Sequence, residues 1–350
     1  MALARLLAAV APLLFTGSAW PVDLDLGSLD TGSSGCSNTK DVTLEKLTEK
    51  TLDSGRPYYL WVPATYKPGK LTPAILSFHG GGGTPESQAA LDLLTDPYFN
   101  DDHIVIYPAA EEIDDRPYRV WEGSPRAPAK ADDIGYVIDI LDDVESRLCV
   151  DTARIYATGK SQGGMMANNL ACNKNSSARI AAFAPVSGAF YVDVSKEDCT
   201  PDKVKFDCEP DEDRLGSIPM LIFHGGADAT IPYEGGNRSG ECLPDIQHFV
   251  AEWAVREGLH EEEQSVEPLE GADDHAKIYT YGSSDETEAN DDAGDVLGKK
   301  SLVTHVYDGN HVHHQWPATI DNEDNTRHDW DPASFNATSV IMAFFRRYRL

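Results

Sequence analysis

An α/β layered sheet is the fold class this sequence predicts, and two observations predict it. Short strand-like runs alternate with helical stretches, and several of those runs are apolar on both parities, as strands covered on both faces of a mostly parallel sheet must be. The runs are Arg56–Pro63, Pro73–Gly80, His103–Pro108, Ala153–Gly159, Ile180–Gly188, Ile218–Gly225 and Ser301–Gly309. Between them, Ile134, Val137, Ile138, Leu141, Val144 and Leu148 recur at helical period, with Asp132 and Asp133 in the first turn, where negative charge suits the helix dipole. The last stretch, Asp331–Leu350, reads as a terminal helix with cations at its C-terminal end.

The opening residues, MALARLLAAVAPLLFTGSAW, have the layout of a secretory signal peptide: Arg5 precedes an apolar run that ends in Gly17, Ser18 and Ala19. Cleavage after Ala19 is expected. No segment of the chain reaches the roughly 20 apolar residues that a membrane helix needs, so a secreted, extracellular protein with no membrane partner is expected. Residues 20–350 read as a single domain, without linker, repeat or appended module, and a monomer is expected. With 58 acidic against 29 basic residues the formal charge is −29, which repels nucleic acid and anionic membrane alike and argues against either as a partner.

Cys36, Cys149, Cys172, Cys199, Cys208 and Cys242 follow the signal, and an even count in an exported chain predicts disulfides. Cys149 precedes a strand and Cys172 ends the helix that follows it, at the same edge of one βα unit, so Cys149–Cys172 is the expected pair. Cys199–Cys208 would then close a short loop and leave Cys36–Cys242. Asn175, Asn237 and Asn336 head Asn-x-Ser/Thr triplets, which fit surface glycosylation. From about 257 to 300 the chain is acidic and poor in apolar residues, with only Ala276–Tyr281 resembling a strand. A solvated surface excursion is expected there, and its acids lack the spacing of a calcium loop.

Gly159-Lys160-Ser161-Gln162-Gly163 lies between a predicted strand and a predicted helix. In that context a G-x-S-x-G pattern places its serine on a strained turn, and the glycines let strand and helix approach closely. The serine hydroxyl then stands at the sheet's end, in front of a helix N-terminus that favours developing negative charge. Such a nucleophile needs an acid and a histidine later in the chain, at the ends of later strands. Asp228, just past the strand Ile218–Gly225, supplies the acid at the end of an open sheet where sites form. His311, His313 and His314 follow the final strand; one is expected to be the general base and the others structural or solvent-facing. No second ligand cluster accompanies them, so no metal is expected. His79-Gly80-Gly81-Gly82-Gly83 offers unobstructed backbone N–H groups for an oxyanion, together with the N–H of Gln162, and no Lys follows to make it a phosphate loop.

The segments HGGGG, WEGSP, DDIGYVIDILDDVESRLCVDTARIYATGKSQGGMMANNLAC, HGGADATIPY and HHQWP, in that order, resemble the secreted fungal feruloyl esterases. These stand in the carbohydrate esterase group that also holds poly(3-hydroxybutyrate) depolymerase-like and acetyl xylan esterase relatives. The resemblance runs from about Cys36 to Leu350 and implies an α/β-hydrolase fold. In the family the late histidine stands in a His-x-Trp-Pro motif; His314-Gln315-Trp316-Pro317 fits it, whereas His311 and His313 do not. The resemblance therefore implies a triad of Ser161, Asp228 and His314, with Gly80 or Gly81 and Gln162 as oxyanion donors and no cofactor. It implies feruloylated plant cell-wall polysaccharide, or small phenolic esters, as substrate, with acetylated xylan and polyester as alternatives. Trp121 and Trp316, beside these motifs, are candidates for an aromatic wall against the substrate or for core packing. A binding protein on the same fold usually lacks part of the triad, and here every member has a candidate.

Overall fold

The computed structural model describes residues 31–113, 118–214, 217–282, 297, 301–309 and 311–350. The expected signal peptide lies outside the described residues, as does nearly all of the acidic stretch beyond 282. In chain order the strands are β1 (Thr48–Thr51), β2 (Pro57–Trp61), β3 (Thr72–Phe78), β4 (Ile104–Pro108), β5 (Glu111–Glu112), β6 (Arg119–Val120), β7 (Val150–Lys160), β8 (Ala182–Val186), β9 (Met220–Gly225), β10 (Gly236–Arg238), β11 (Glu241–Leu243), β12 (Ser265–Pro268), β13 (Ala276–Tyr281) and β14 (Val303–Asp308). The α-helices are α1 (Pro85–Asp92), α2 (Asp133–Arg147), α3 (Gln162–Ala171), α4 (Lys174–Ser177), α5 (Ile246–Arg256), α6 (Glu323–His328) and α7 (Ala337–Phe345).

Ten strands form one sheet in the order β1-β2-β4-β3-β7-β8-β9-β14-β13-β12, and β5-β6 and β10-β11 are separate two-stranded ribbons. From β4 to β14 every neighbouring pair is parallel, and both edges are finished by antiparallel strands. The doubly apolar strand runs have their physical cause here. In β3, Leu76 and Phe78 face one core with α2, α3 and α5, while Ile75 faces the other with α1 and α7. Ile155 and Ala157 of β7 likewise face the first core and Tyr156 the second. Burying each large apolar side chain contributes about 1.5–3 kcal/mol, so the two packed faces fix strand register.

Helix starts follow local chemistry. Thr84 and Ser87 form a reciprocal capping box ahead of α1, with Pro85 at its first position. Asp132 accepts the Gly135 N–H at the start of α2. The buried stripe of α2 is Tyr136, Val137, Ile140, Leu141 and Val144, rotated slightly from the predicted one, because Ile138 is only partly covered. The acidic stretch is more structured than expected. Ser265–Pro268 joins Ala276–Tyr281 as an antiparallel pair, and β13 adds to β14, because Ala276, Ile278 and Tyr281 turn apolar side chains inward.

The disulfides correct the expected pairing: they are Cys36–Cys149, Cys172–Cys208 and Cys199–Cys242. Cys149 and Cys172 do not pair because the N-terminal segment occupies the start of β7. There Ser33 Oγ donates to Leu148 O and the Ser33 N–H donates to Val150 O, bringing Cys36 to Cys149. Cys172 is instead met by the chain at Glu209, whose N–H donates to the Cys172 carbonyl, and Cys242 is drawn toward Cys199 by its bridge to Val192. Digestion without reduction, followed by mass spectrometry, should yield linked peptides for these three pairs; a Cys149–Cys172 peptide would contradict this connectivity.

Candidate active site

β7 ends at Lys160 and α3 begins at Gln162, so Ser161 alone turns the chain, at φ 56° and ψ −118°. A non-glycine residue in such a region costs on the order of 1–3 kcal/mol, which the surrounding bonds must offset. The Ser161 N–H donates to Val186 O at 2.9 Å, and its carbonyl accepts from Met165 and Ala189, each at 3.0 Å. The glycines of the motif are steric necessities. A Cβ at Gly159 would lie 2.6 Å from Gly163 O and 2.7 Å from Phe78 O, and a Cβ at Gly163 would run into Phe78 O.

The glycine run after β3 lies against this turn. A Cβ at Gly80 would sit 3.5 Å from Ser161 Cβ, and one at Gly81 would sit 2.6 Å from Gln162 Nε2. His79 holds the loop from beneath. Its Nε2 accepts the Ala110 N–H at 3.2 Å, which leaves Nδ1–H to donate to Gly80 O at 2.8 Å. Burial lowers the His79 pKa to about 4, so the ring stays neutral and keeps that tautomer. Among the described residues, the backbone N–H groups of Gly80, Gly81 and Gln162 have no acceptor within the protein. The last of these heads α3, where the helix dipole adds positive potential.

Asp228 and His314 arrive from the ends of the adjacent parallel strands β9 and β14. His314 Nδ1 lies 2.7 Å from Asp228 Oδ2, while Asp228 Oδ1 accepts the N–H groups of Thr230 at 2.8 Å and Ile231 at 2.7 Å. Burial opposes the charge of Asp228, yet the bond to His314, the neighbouring histidines and the Ile231 N–H together hold its pKa below the ordinary value. Burial lowers the His314 pKa against the opposing effect of Asp228, with Lys160 helping to lower it. A carboxylate at Nδ1 fixes the tautomer in which Nδ1 carries the proton and Nε2 is basic. His224, buried 3.5 Å from Asp228 Oδ2, donates Nε2–H to Ile231 O and backs the acid. Of the other late histidines, His311 stacks on His275 and His313 on Trp330.

Ser161, His314, Gly80, Gly81 and Gln162 line one cleft of about 460 Å³. Two further residues tie its walls together, and the sequence reading missed both. Lys160 Nζ lies 2.6 Å from Asp324 Oδ1, and Asp324 Oδ2 accepts the Trp316 N–H at 2.8 Å. One carboxylate on α6 therefore links the serine turn to the loop that carries His314. The variable position of G-x-S-x-G held a cation, and Asn322 ahead of Asp324 held a cap signal; nothing in the spacing joined them.

Of the two alternatives for Trp121 and Trp316, aromatic wall or core packing, the structure shows the core. Trp121 and Trp316 are 0% and 1% exposed and lie in the core. Each places its indole N–H on an internal acceptor, Trp121 on His79 O at 2.7 Å and Trp316 on Thr338 Oγ1 at 3.0 Å. The WEGSP segment is a clamp: Glu122 accepts the Asp133 N–H at 2.8 Å, and Asp133 in turn accepts the Glu122 N–H at 2.7 Å and pairs with Arg56. Asn175 and Asn237 are exposed, whereas Asn336 is partly buried, its Oδ1 accepting from Thr319.

A serine turn, an acid and a histidine in that chain order, at the ends of parallel strands, define an α/β-hydrolase fold. The acetyl xylan esterase from Aspergillus awamori shares it at a TM-score of 0.53 and 16% identity, covering 81% of this chain and 98% of that one. No family model matches the chain. Among curated proteins it is similar to feruloyl esterase B of Piromyces equi, at 29% identity over 174 residues, 50% of this chain and 29% of that protein. It is similar also to feruloyl esterase C of Emericella nidulans, at 30% identity over 183 residues, 52% of this chain and 58% of that protein. The chain thus aligns with under two thirds of either relative's length, and their names bear out the resemblance carried by the motifs.

Asp324 raises the His314 pKa, whereas Lys160 lowers it. Asp324→Asn should therefore lower that pKa, read by NMR titration of the imidazole. An unchanged or higher value would show that the tether carries no charge to the histidine.

Proposed function

We propose that this protein is a secreted serine carboxylic-ester hydrolase that releases ferulate or related hydroxycinnamates from plant cell-wall polysaccharide. The reading rests on one observation above the rest: a strained serine and a carboxylate-paired histidine face one cleft beside glycine N–H groups that have no acceptor among the described residues. The feruloyl esterase names of its relatives supply the substrate class. The three disulfides suit an oxidising, extracellular compartment.

In the proposed mechanism, His314 Nε2 takes the Ser161 proton as Oγ attacks the ester carbonyl, and Asp228 stabilises the imidazolium. The N–H groups of Gln162 and of Gly80 or Gly81 receive the oxyanion. Collapse of the intermediate expels the sugar alcohol, which takes the proton from His314. Water, deprotonated by the same histidine, then attacks the acyl-Ser161 ester; His314 returns that proton to the departing Ser161 Oγ as the acid is released. No cofactor enters any step.

Purified protein should release ferulate from methyl ferulate and from feruloylated arabinoxylan, faster than acetate from acetylated xylan or monomer from poly(3-hydroxybutyrate). Ser161→Ala should reduce that rate on the order of 10⁴-fold or more, and equal rates for the two proteins would refute the proposal.

The pH dependence follows from His314, which must be neutral to accept a proton. Its pKa lies below the ordinary 6.5, so kcat/KM should hold as pH falls to 6.5. Below the lowered pKa it should drop about tenfold per pH unit. An acid limb centred above pH 6.5 would contradict this assignment.

A further inference from the structure

The cleft runs against the electrostatics of the chain around it. Acids outnumber bases by 58 to 29 overall, yet the cleft is lined by Arg126, Arg238, Arg327 and Lys160, with Asp324 as the carboxylate among its lining residues. Asp324 is already paired with Lys160. Among the described residues, no carboxylate lies within ion-pair distance of Arg126, Arg238 or Arg327. Glu241, opposite Arg238 in the β10-β11 ribbon, is the acid that register brings across from it.

The three guanidinium groups come from separate parts of the chain: the loop after WEGSP, the ribbon strand β10 and the end of α6. Aromatic surfaces accompany them. Arg126 lies 4.2 Å over the Tyr118 ring, Tyr191 pairs with Arg238, and Trp330, stacked on His313 and His328, lines the cleft with Arg327. Rings of this kind suit sugar and phenolic faces, and the planar fork of a guanidinium suits a carboxylate.

Resting on the esterase reading, we infer that the alcohol portion of the substrate carries carboxylates: a uronate-bearing oligosaccharide whose charges are met by Arg126, Arg238 and Arg327 around the scissile ester. The released phenolic acid does not account for these residues. Its single carboxylate forms at Ser161, in reach of the oxyanion donors, whereas three cations on three segments fit charges spaced along a chain. A polyanion is also repelled by the molecule as a whole, so its entry requires a local positive rim, which a cleft focuses.

The test uses Ser161→Ala protein, so that binding is read without turnover, and calorimetric titration with hexagalacturonate and with neutral xylohexaose. The acidic oligomer should bind at least about tenfold more tightly at low salt and lose most of that advantage as ionic strength rises. Arg126→Gln, Arg238→Gln and Arg327→Gln should each reduce the preference several-fold. Equal affinity for the two oligomers, or tighter binding of the neutral one, would overturn the inference. Failure of the wild-type protein to hydrolyse any ester would remove the esterase reading instead, and leaves the binding comparison to be judged by itself.

Discussion

The carbonyl of Phe78 stands where the Cβ of any residue but glycine at 163 would have to be. That one contact sets the distance between the end of β3 and the start of α3, and the rest of the cleft is measured from it. Because the two meet backbone to backbone, the glycine loop after β3 comes alongside the serine turn rather than a side chain's width away. The strained dihedrals of Ser161 persist because Val186, Met165 and Ala189 bond its peptide groups on both sides. Rigidity of this sort pre-positions donors and so lowers the reorganisation that a developing charge would otherwise demand.

Burial acts on the charged groups near the cleft in opposite senses. It keeps the imidazoles of His79 and His314 neutral, and it works against the charge of Asp228 until the hydrogen-bond donors around that carboxylate prevail. A neutral His79 is a fixed donor to the glycine loop; a neutral His314 beside an ionised Asp228 is a base with its second nitrogen committed. The two histidines share a protonation state and differ in task, because one is bonded at both nitrogens by backbone and the other at one nitrogen by an acid.

Much of the fold was legible because its signals are local. Strands buried on both faces read as continuous apolar runs, and the serine turn announced itself by two glycines and its place between a strand and a helix. The disulfides were not legible: Cys36 reaches Cys149 through a long excursion whose end is fixed by Ser33 against Leu148 and Val150, a contact with no local pattern. Trp121 and Trp316 stayed undecided between wall and core for a related reason. An indole beside a motif fits either a wall or a core, and the deciding fact is a distant acceptor, the carbonyl of His79 or the hydroxyl of Thr338. β12 was missed because Ser265–Pro268 carries little apolar character and is held by its partner β13.

Those same outer strands bear on how the protein survives at high concentration. A sheet that ends in an unpaired strand offers a row of backbone donors and acceptors to any other chain, and aggregation begins there. Here β1 closes one side with Thr48, Glu49, Lys50 and Thr51, and β12 closes the other with Glu267 and Pro268. Charge and a missing N–H make both borders poor templates for a foreign strand. The long parallel sheet that carries the cleft is thereby sealed at its margins by residues that contribute little to its core.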